Sequence, residues 1–277
     1  MKTILSIQSQ VAGSLVGNAA ACFAMRRLGV RALPIPTTLF GRRPDRGPPG
    51  GGPTPPGLMT AMLDALENDG ALAEVDIVLS GYFADSTQAD VILDAAVRVK
   101  AANPHAIYVC DPVMGDSDKG TFVSPEVAGA IQHRLAPAAD LLTPNLWELG
   151  ALANRSTIDI AQTRAAALSL GRPVLVTSAP APAGIGALYC AGASAWLVET
   201  PRAPLSPKGA GDLFTALFLA HRLNGRSVAV ALEAAAGGIY DVIVRSGARS
   251  DGELAAIEAQ DKMVDPDTWP TAQPLGA

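Results

Sequence analysis

Short apolar or β-branched runs recur along the chain at Thr3 to Ile7, Arg31 to Leu39, Asp76 to Ser80, Ala106 to Cys110, Leu141 to Thr143 and Val174 to Thr177. Runs this uniformly apolar suit strands covered on both faces, the mark of a parallel sheet. Between them, amphipathic stretches near 17 to 28, 57 to 67, 86 to 102, 145 to 153 and 159 to 170, then 211 to 223 and 227 to 245, predict helices. The alternation predicts a three-layer α/β/α sandwich with a mostly parallel central sheet and right-handed crossovers. Ile185 to Cys190 and Ala195 to Glu199 lie either side of Gly192-Ala193-Ser194, which predicts an antiparallel hairpin at the sheet edge.

One segment breaks the pattern. Gly41 to Gly57 reads GRRPDRGPPGGGPTPPG, a composition expected to form neither helix nor strand. It is too long for an ordinary connector and is read as a lid loop, with a linker between domains as the competing reading. Residues 3 to 25 carry no charge and follow Lys2, as in a secretory signal, but Gln8, Ser9, Gln10, Ser14 and Asn18 interrupt the apolar run. Strand, turn and helix are expected there, and no membrane span.

Composition narrows the function. Hydrophobic residues are 49% and charged residues 17% of 277, ample for a full core, so disorder is excluded for most of the chain. The charge sum is 21 − 26 = −5, with pI near 5.2, and the longest basic runs are the pairs Arg26-Arg27 and Arg42-Arg43. Neither a nucleic-acid backbone nor an anionic membrane is expected as the main partner. Cys22, Cys110 and Cys190 are odd in number and far apart, so they build neither a disulfide framework nor a metal knuckle, and a reducing cytoplasm is expected.

Three motifs carry chemistry. Lys208-Gly209-Ala210-Gly211-Asp212 follows the loop Pro204 to Pro207 and opens a helix. Glycines let successive N–H groups converge on one point, and the helix dipole adds positive character, so an anion is expected there. Asp212 beside that anion could accept a proton from a substrate hydroxyl, or could simply cap the helix. Asp111-Pro112-Val113-Met114-Gly115-Asp116 follows a buried strand, where carboxylates face the ligand crevice of α/β proteins and suit Mg²⁺; a Pro-held Asx turn is the competing reading. Thr143-Pro144-Asn145-Leu146-Trp147-Glu148 also follows a strand, and Asn145 with Glu148 is a capping-box pattern as well as a candidate nucleotide and metal pair. A dinucleotide fingerprint fails, because the first turn reads Gly13-Ser14-Leu15-Val16-Gly17, and no P-loop is present. Phosphate, metal and substrate elements spread from Ser9 to Asp212 must meet across one sheet, so a single domain over 1–277 is expected.

These motifs resemble the ribokinase-like superfamily. KGAGD at 208 to 212 is similar to its anion-hole signature, while DPVMGD at 111 to 116 and TPNLWE at 143 to 148 resemble its vitamin B6 branch. So do Ser9-Gln10-Val11, Val16-Gly17-Asn18-Ala19-Ala20, Leu79-Ser80-Gly81-Tyr82 and Lys100-Ala101-Ala102-Asn103-Pro104. The resemblance, to about residue 265, is to pyridoxal kinases, with hydroxymethylpyrimidine and sugar kinases as more distant relatives. It implies ATP-dependent phosphorylation of the 5′-hydroxymethyl of pyridoxal, and of pyridoxine and pyridoxamine. It implies Asp212 as base, the Gly209, Ala210 and Gly211 N–H groups on the transferring phosphoryl, and Lys208, Asn145 and Thr177 toward ATP. Asp111, Asp116 and Glu148 would manage Mg²⁺, Thr143 a monovalent cation such as K⁺, and Ser9 the pyridine ring. A homodimer is also implied.

The departures cluster. Many pyridoxal kinases read Val-Gln-Phe-Ser-Asn-His-Thr after the second strand, where this chain has Thr38-Leu39-Phe40-Gly41-Arg42-Arg43-Pro44, and Ser14-Leu15 replaces a common His or Tyr. Two alternatives follow: a kinase for hydroxymethylpyrimidine or a sugar, and a non-catalytic B6-binding protein, against which the intact Asp111 and Asp212 argue. Arg42, Arg43 and Arg46 are read as solvated loop charges, with screening of ATP phosphates as the competing role. His105, His133 and His221 have no partner pattern, and Trp147 and Trp196 are read as packing.

Overall fold

The computed structural model describes residues 1–182, 184–203 and 207–276, so residues 204–206 of the loop before the KGAGD stretch lie outside the described residues. Strands β1 (Thr3–Val11), β2 (Arg31–Phe40), β3 (Gly51–Pro53), β4 (Ile77–Ser80) and β5 (Ile107–Cys110) belong to the main sheet. Strands β6 (Gly115–Asp116) and β7 (Gly120–Thr121) form a separate ribbon, and β8 (Leu141–Leu142), β9 (Val174–Pro180), β10 (Gly184–Ala191), β11 (Ser194–Pro201) and β12 (Gln273–Pro274) complete the main sheet. Its order is β12-β11-β10-β9-β8-β5-β4-β1-β2-β3. The six strands from β9 to β2 pair in parallel, and antiparallel strands close both edges.

Alternate residues of the parallel strands feed two cores. Leu5, Val78, Tyr108, Cys110, Leu142 and Val176 face one, packed under α2 (Pro56–Asn68), α3 (Gln88–Ala102), α6 (Leu146–Ala153) and α7 (Ile160–Ser169). Ile4, Ile77, Leu79, Val109, Leu141 and Leu175 face the other, under α1 (Asn18–Arg27), α8 (Ala210–Leu223) and α9 (Val228–Ser246). A period of two along strands covered on both faces explains why their runs read as continuously apolar. The first face also carries α4 (Pro125–Ala130), a π-turn over Ile131–Leu135 and α5 (Ala136–Ala138), a helical stretch the sequence reading did not predict.

The six predicted core strands, the hairpin and the seven predicted helices all form, with ends displaced by a few residues. The expectation for Gly41 to Gly57 is corrected. Pro44–Arg46 makes a 3₁₀ turn, and Gly51–Pro53 adds to the edge of β2 with Thr38 opposite Pro53 and Phe40 opposite Gly51. Proline is tolerated on an edge strand because one side needs no ladder donor. Gly51 has φ 136°, and a Cβ there would lie 2.0 Å from the Leu39 carbonyl oxygen, so the pairing needs glycine.

Gly237 and Gly238 interrupt α9 where the C-terminal segment crosses it; a Cβ on Gly237 would lie 2.0 Å from the Thr268 carbonyl oxygen. Alanine favours a helix over glycine by about 1 kcal/mol, but backbone cannot yield cheaply at this distance. Gly237→Ala should therefore lower unfolding free energy by about 1–3 kcal/mol, read from the urea midpoint at unchanged m-value; a stabilised variant would show that the crossing is loose.

Candidate active site

The carboxyl ends of β1, β4, β5 and β8 present Ser9, Gly81, Asp111 and Thr143 along one edge of the sheet, and Thr177 lies in β9, its N–H donating to the Pro144 carbonyl at 3.0 Å. Chain order reverses about β1, since β2 lies on one side and β4 on the other, and the crevice at such a reversal is where α/β sheets bind ligands.

The KGAGD stretch closes over this edge. Gly209 is the N-cap of α8 with φ 91°, and a Cβ there would lie 2.3 Å from the Leu15 carbonyl oxygen. Among the described residues no side chain caps this helix, so its first-turn N–H groups at Ala210, Gly211 and Asp212 point outward along the helix axis, Ala210 reaching back to the Pro207 carbonyl at 3.3 Å. The Asp212 carboxylate accepts a 2.7 Å hydrogen bond from the Gly17 N–H. Gly17 has φ 53° and packs on Ser9, whose Oγ lies 2.4 Å from where a Gly17 Cβ would stand. Ser9 sits where the β1–β2 register slips between Gln8 and Gln10, which turns the strand end toward this glycine. Ser9, Gly17, Asp212 and the α8 start thus meet at one place. Asn18 locks the arrangement, its amide donating to the Gln8 carbonyl at 3.0 Å and the Ile35 carbonyl at 3.3 Å.

Asp111 and Glu148 are both buried. Glu148 accepts from the N–H groups of Asn145 at 2.9 Å and Met114 at 3.0 Å, with Gly115 more distant at 3.5 Å. Burial nevertheless pushes its carboxyl up to about 7, against the pull of those donors, with Asp212 adding to the rise. Asp111 is raised well above the usual carboxylate range by burial, then by the charges of Glu148 and Asp212. Asp212 is raised by burial and partly held back by the Gly17 N–H. Among the described residues, three carboxyls share this edge with no basic side chain bonded to them, and beside them the Thr143 hydroxyl is buried without a hydrogen-bond partner.

Of the other predicted residues, Asp116 stands apart from that group and Asn145 is bonded to it. Asp116 on the β6–β7 ribbon pairs with Lys208 at 2.7 Å and accepts from the N–H of Lys119 at 2.8 Å. Partial burial would raise it, but Lys208 and these N–H groups prevail and hold it below the usual range. Asn145 completes a capping box with Glu148 and donates to the Gly115 carbonyl at 2.8 Å. Among the described residues no three His, Cys, Asp or Glu side chains form a ready-made metal cluster. Gly115 lies flat on the Trp147 ring, 2.3 Å from ring to a hypothetical Cβ, so Trp147 packs against the ribbon. His221 is buried in α8, where burial lowers its imidazole to about 4 and keeps it neutral.

The reading of the lid arginines as solvated is corrected for Arg43, and Arg46, though exposed, is paired. Arg43 is buried, bonded to Glu253, Asp45 and Ser14, and Arg46 also reaches Glu253 at 2.9 Å. Arg42 and Arg46 both stay exposed, Arg42 donating to the Pro48 carbonyl at 2.8 Å. Sequence reasoning missed Glu253, Ser14 and Asn18 as structural partners of the site; Asn18 lay inside a recognised stretch, while no local pattern marks Glu253.

Carboxylates at strand ends, facing a glycine-opened helix start across a mostly parallel sheet, define a kinase of the ribokinase-like class. The phosphomethylpyrimidine kinase family matches residues 22–253. The chain is 39% identical to a pyridoxal kinase of Leifsonia xyli over 95% of its length and 96% of that protein, and 40% identical to one of Rubrobacter xylanophilus over 95% and 94%. The solved pyridoxal kinase of Leishmania donovani in complex with ADP and pyridoxamine is 25% identical and superimposes with a TM-score of 0.92 over 99% of this chain and all of that one. The chain belongs to the pyridoxal kinase family.

The raised Glu148 gives a pH signature. Between its ordinary 4.5 and about 7 the folded protein binds more protons than the unfolded chain, so this group's contribution to stability falls as pH rises through that window. Metal-free protein should melt lower at about pH 8 than at about pH 6, and Glu148→Gln should flatten that dependence. An unchanged slope in the variant would show that Glu148 ionises as it does in water.

Proposed function

We propose that this chain transfers the γ-phosphoryl group of ATP to the 5′-hydroxymethyl group of pyridoxal, and also to pyridoxine and pyridoxamine, by the following division of labour. The observation that carries this reading is the Asp212 carboxylate, held by the Gly17 N–H at the uncapped start of α8. The substrate hydroxyl gives its proton to Asp212 as the phosphorus–oxygen bond to the acceptor forms, and ADP departs. Such a base acts late, because phosphoryl transfer depends chiefly on alignment and neutralised charge. The N–H groups at Gly209, Ala210 and Gly211 hold the charge on the transferring oxygens, which a preorganised helix start does without rearranging. Ser9 meets the pyridine ring beside Gly17. Lys208, Asn145 and Thr177 face the nucleotide.

The donor set fits Mg²⁺. Asp111 and Glu148 are hard oxygen ligands whose raised carboxyls lack a neutralising partner, and Asp116 stands beyond them on the ribbon. Neutralisation of phosphate charge is what Mg²⁺ supplies when bound. The unpartnered Thr143 hydroxyl supports a monovalent cation such as K⁺ at the same edge. A single domain belongs to this reading, supported by one sheet that runs from Thr3 to Pro274. So does the homodimer, which rests on family resemblance, and a cytoplasmic setting, supported by three buried free cysteines and by the absence, among the described residues, of a helix long and apolar enough to cross a membrane.

Incubation with Mg-ATP and pyridoxal, pyridoxine, pyridoxamine, hydroxymethylpyrimidine or ribose tests the acceptor; the vitamers should be phosphorylated, and turnover of hydroxymethylpyrimidine alone would reassign the substrate. Asp212→Asn should lower kcat by about 10²- to 10⁴-fold with ADP affinity retained. Near-normal turnover would reduce Asp212 to a helix-start residue.

A further inference from the structure

A second group of charges, with Arg43 and Glu253 buried at its centre, lies beside the site and takes no part in the proposed phosphoryl transfer. Glu253 is buried, and both of its oxygens are engaged: Oε1 by Arg43 at 2.9 Å and Arg46 at 2.9 Å, Oε2 by the Ser14 hydroxyl at 2.5 Å. Arg43 is itself buried, with Nη1 also donating to Ser14 Oγ at 3.3 Å and its other nitrogens to the Asp45 carboxylate at 3.0 and 3.3 Å. Arg46 donates to the Asp251 carbonyl as well. Two cations and one carboxylate of residues 43–46 thus meet the Glu253 carboxylate and the Ser14 hydroxyl, so three segments far apart in sequence converge.

Two of those segments continue directly into the catalytic surface. From Ser14 the chain runs three residues to Gly17, whose N–H holds Asp212, and on the way the Leu15 carbonyl lies against Gly209. From Glu253 the next residue, buried Leu254, also packs on Gly209, its Cδ1 3.0 Å from a hypothetical Cβ. The third segment is the root of residues 41 to 53, whose Gly41 carbonyl accepts from the Gly13 N–H at 3.0 Å.

We propose that Glu253 is a positioning residue, tying residues 43–46 and the turn Ser14 to Gly17 into one unit that keeps the Gly17 N–H on Asp212 and the Leu15 carbonyl against Gly209. The inference rests on Asp212 being the base. Removing one of the buried members, Ser14, Arg43 or Glu253, leaves a partner charge or hydroxyl unmatched, and the short turn is the part free to shift in response. Displacements of an ångström at reacting groups are costly in rate even when ground-state binding is little changed. The two places where the chain departs from its relatives, at Ser14 and at Arg42 to Pro44, are therefore one unit joined through Glu253.

The test compares Ser14→Ala, Ser14→Thr and Glu253→Gln with the unsubstituted protein, rates being referred to ADP-binding sites. Ser14→Ala should lower kcat about tenfold with KM for ATP within about twofold, and Ser14→Thr, which keeps the hydroxyl, should recover most of that rate. Glu253→Gln should show the same split with a larger loss. The proposal is overturned if Ser14→Ala keeps kcat within about twofold, if its loss appears in KM for ATP instead, or if Ser14→Thr is as slow. Should Glu253→Gln fail to fold, the Ser14 pair decides. An active Asp212→Asn enzyme would remove the base reading itself, whereas an inactive one alongside fully active Ser14→Ala would remove only the positioning role.

Discussion

One hydrogen bond organises this molecule: the Gly17 N–H on the Asp212 carboxylate, between residues 195 apart in sequence. It joins the starts of two helices, α1 and α8, that pack on the same face of the sheet, and it needs a residue without a side chain. The left-handed conformation of Gly17 and its approach to Ser9 leave no room for a Cβ. A single donor gives Asp212 a fixed direction while leaving the rest of its carboxyl open toward the crevice. The α8 start brings its first-turn N–H groups to the same point, so on the proposed reading substrate hydroxyl and phosphoryl group converge because two helix beginnings do.

The electrostatic design follows from that convergence. A chain with net charge −5 must attract a polyanion, and it buries Asp111 and Glu148 beside Asp212 without a bonded basic side chain. Attraction is instead local: backbone N–H groups at the α8 start, and carboxylates whose raised proton affinity is the other face of affinity for cations. Each of these features destabilises the ligand-free fold a little, and each is relieved by what the site receives. Such tension belongs where function is, since burial without compensation has no purely structural benefit.

How much of this the sequence disclosed depended on range. Strand-end motifs were legible because each is a local pattern: Asn145 to Glu148 is both a capping box and part of the site, and KGAGD carries its own turn geometry. The strands β1, β4, β5 and β9 were legible because a continuous apolar run marks a strand covered on both faces without reference to distant partners. Arg43 was misread because its partners, Ser14 and Glu253, stand 29 and 210 residues away, and an isolated Arg among prolines and glycines looks solvated. Gly51 to Pro53 was misread for a related reason. Its strand character comes from the exposed edge of β2 and not from its own residues, which have low β-propensity. The helix at 125–138 escaped because Gly129 and Pro137 interrupt its pattern.

The Lys208–Asp116 pair gives the β6–β7 ribbon a further property. Its lysine is nearly half exposed, and pairs of this kind contribute about 1 kcal/mol or less. The ribbon is therefore fastened to the KGAGD turn by a clasp that costs little to undo, with the lysine at the rim. On the proposed reading, a triphosphate arriving there exchanges one counter-ion for another, so entry of nucleotide and release of the ribbon would be a single trade of partners.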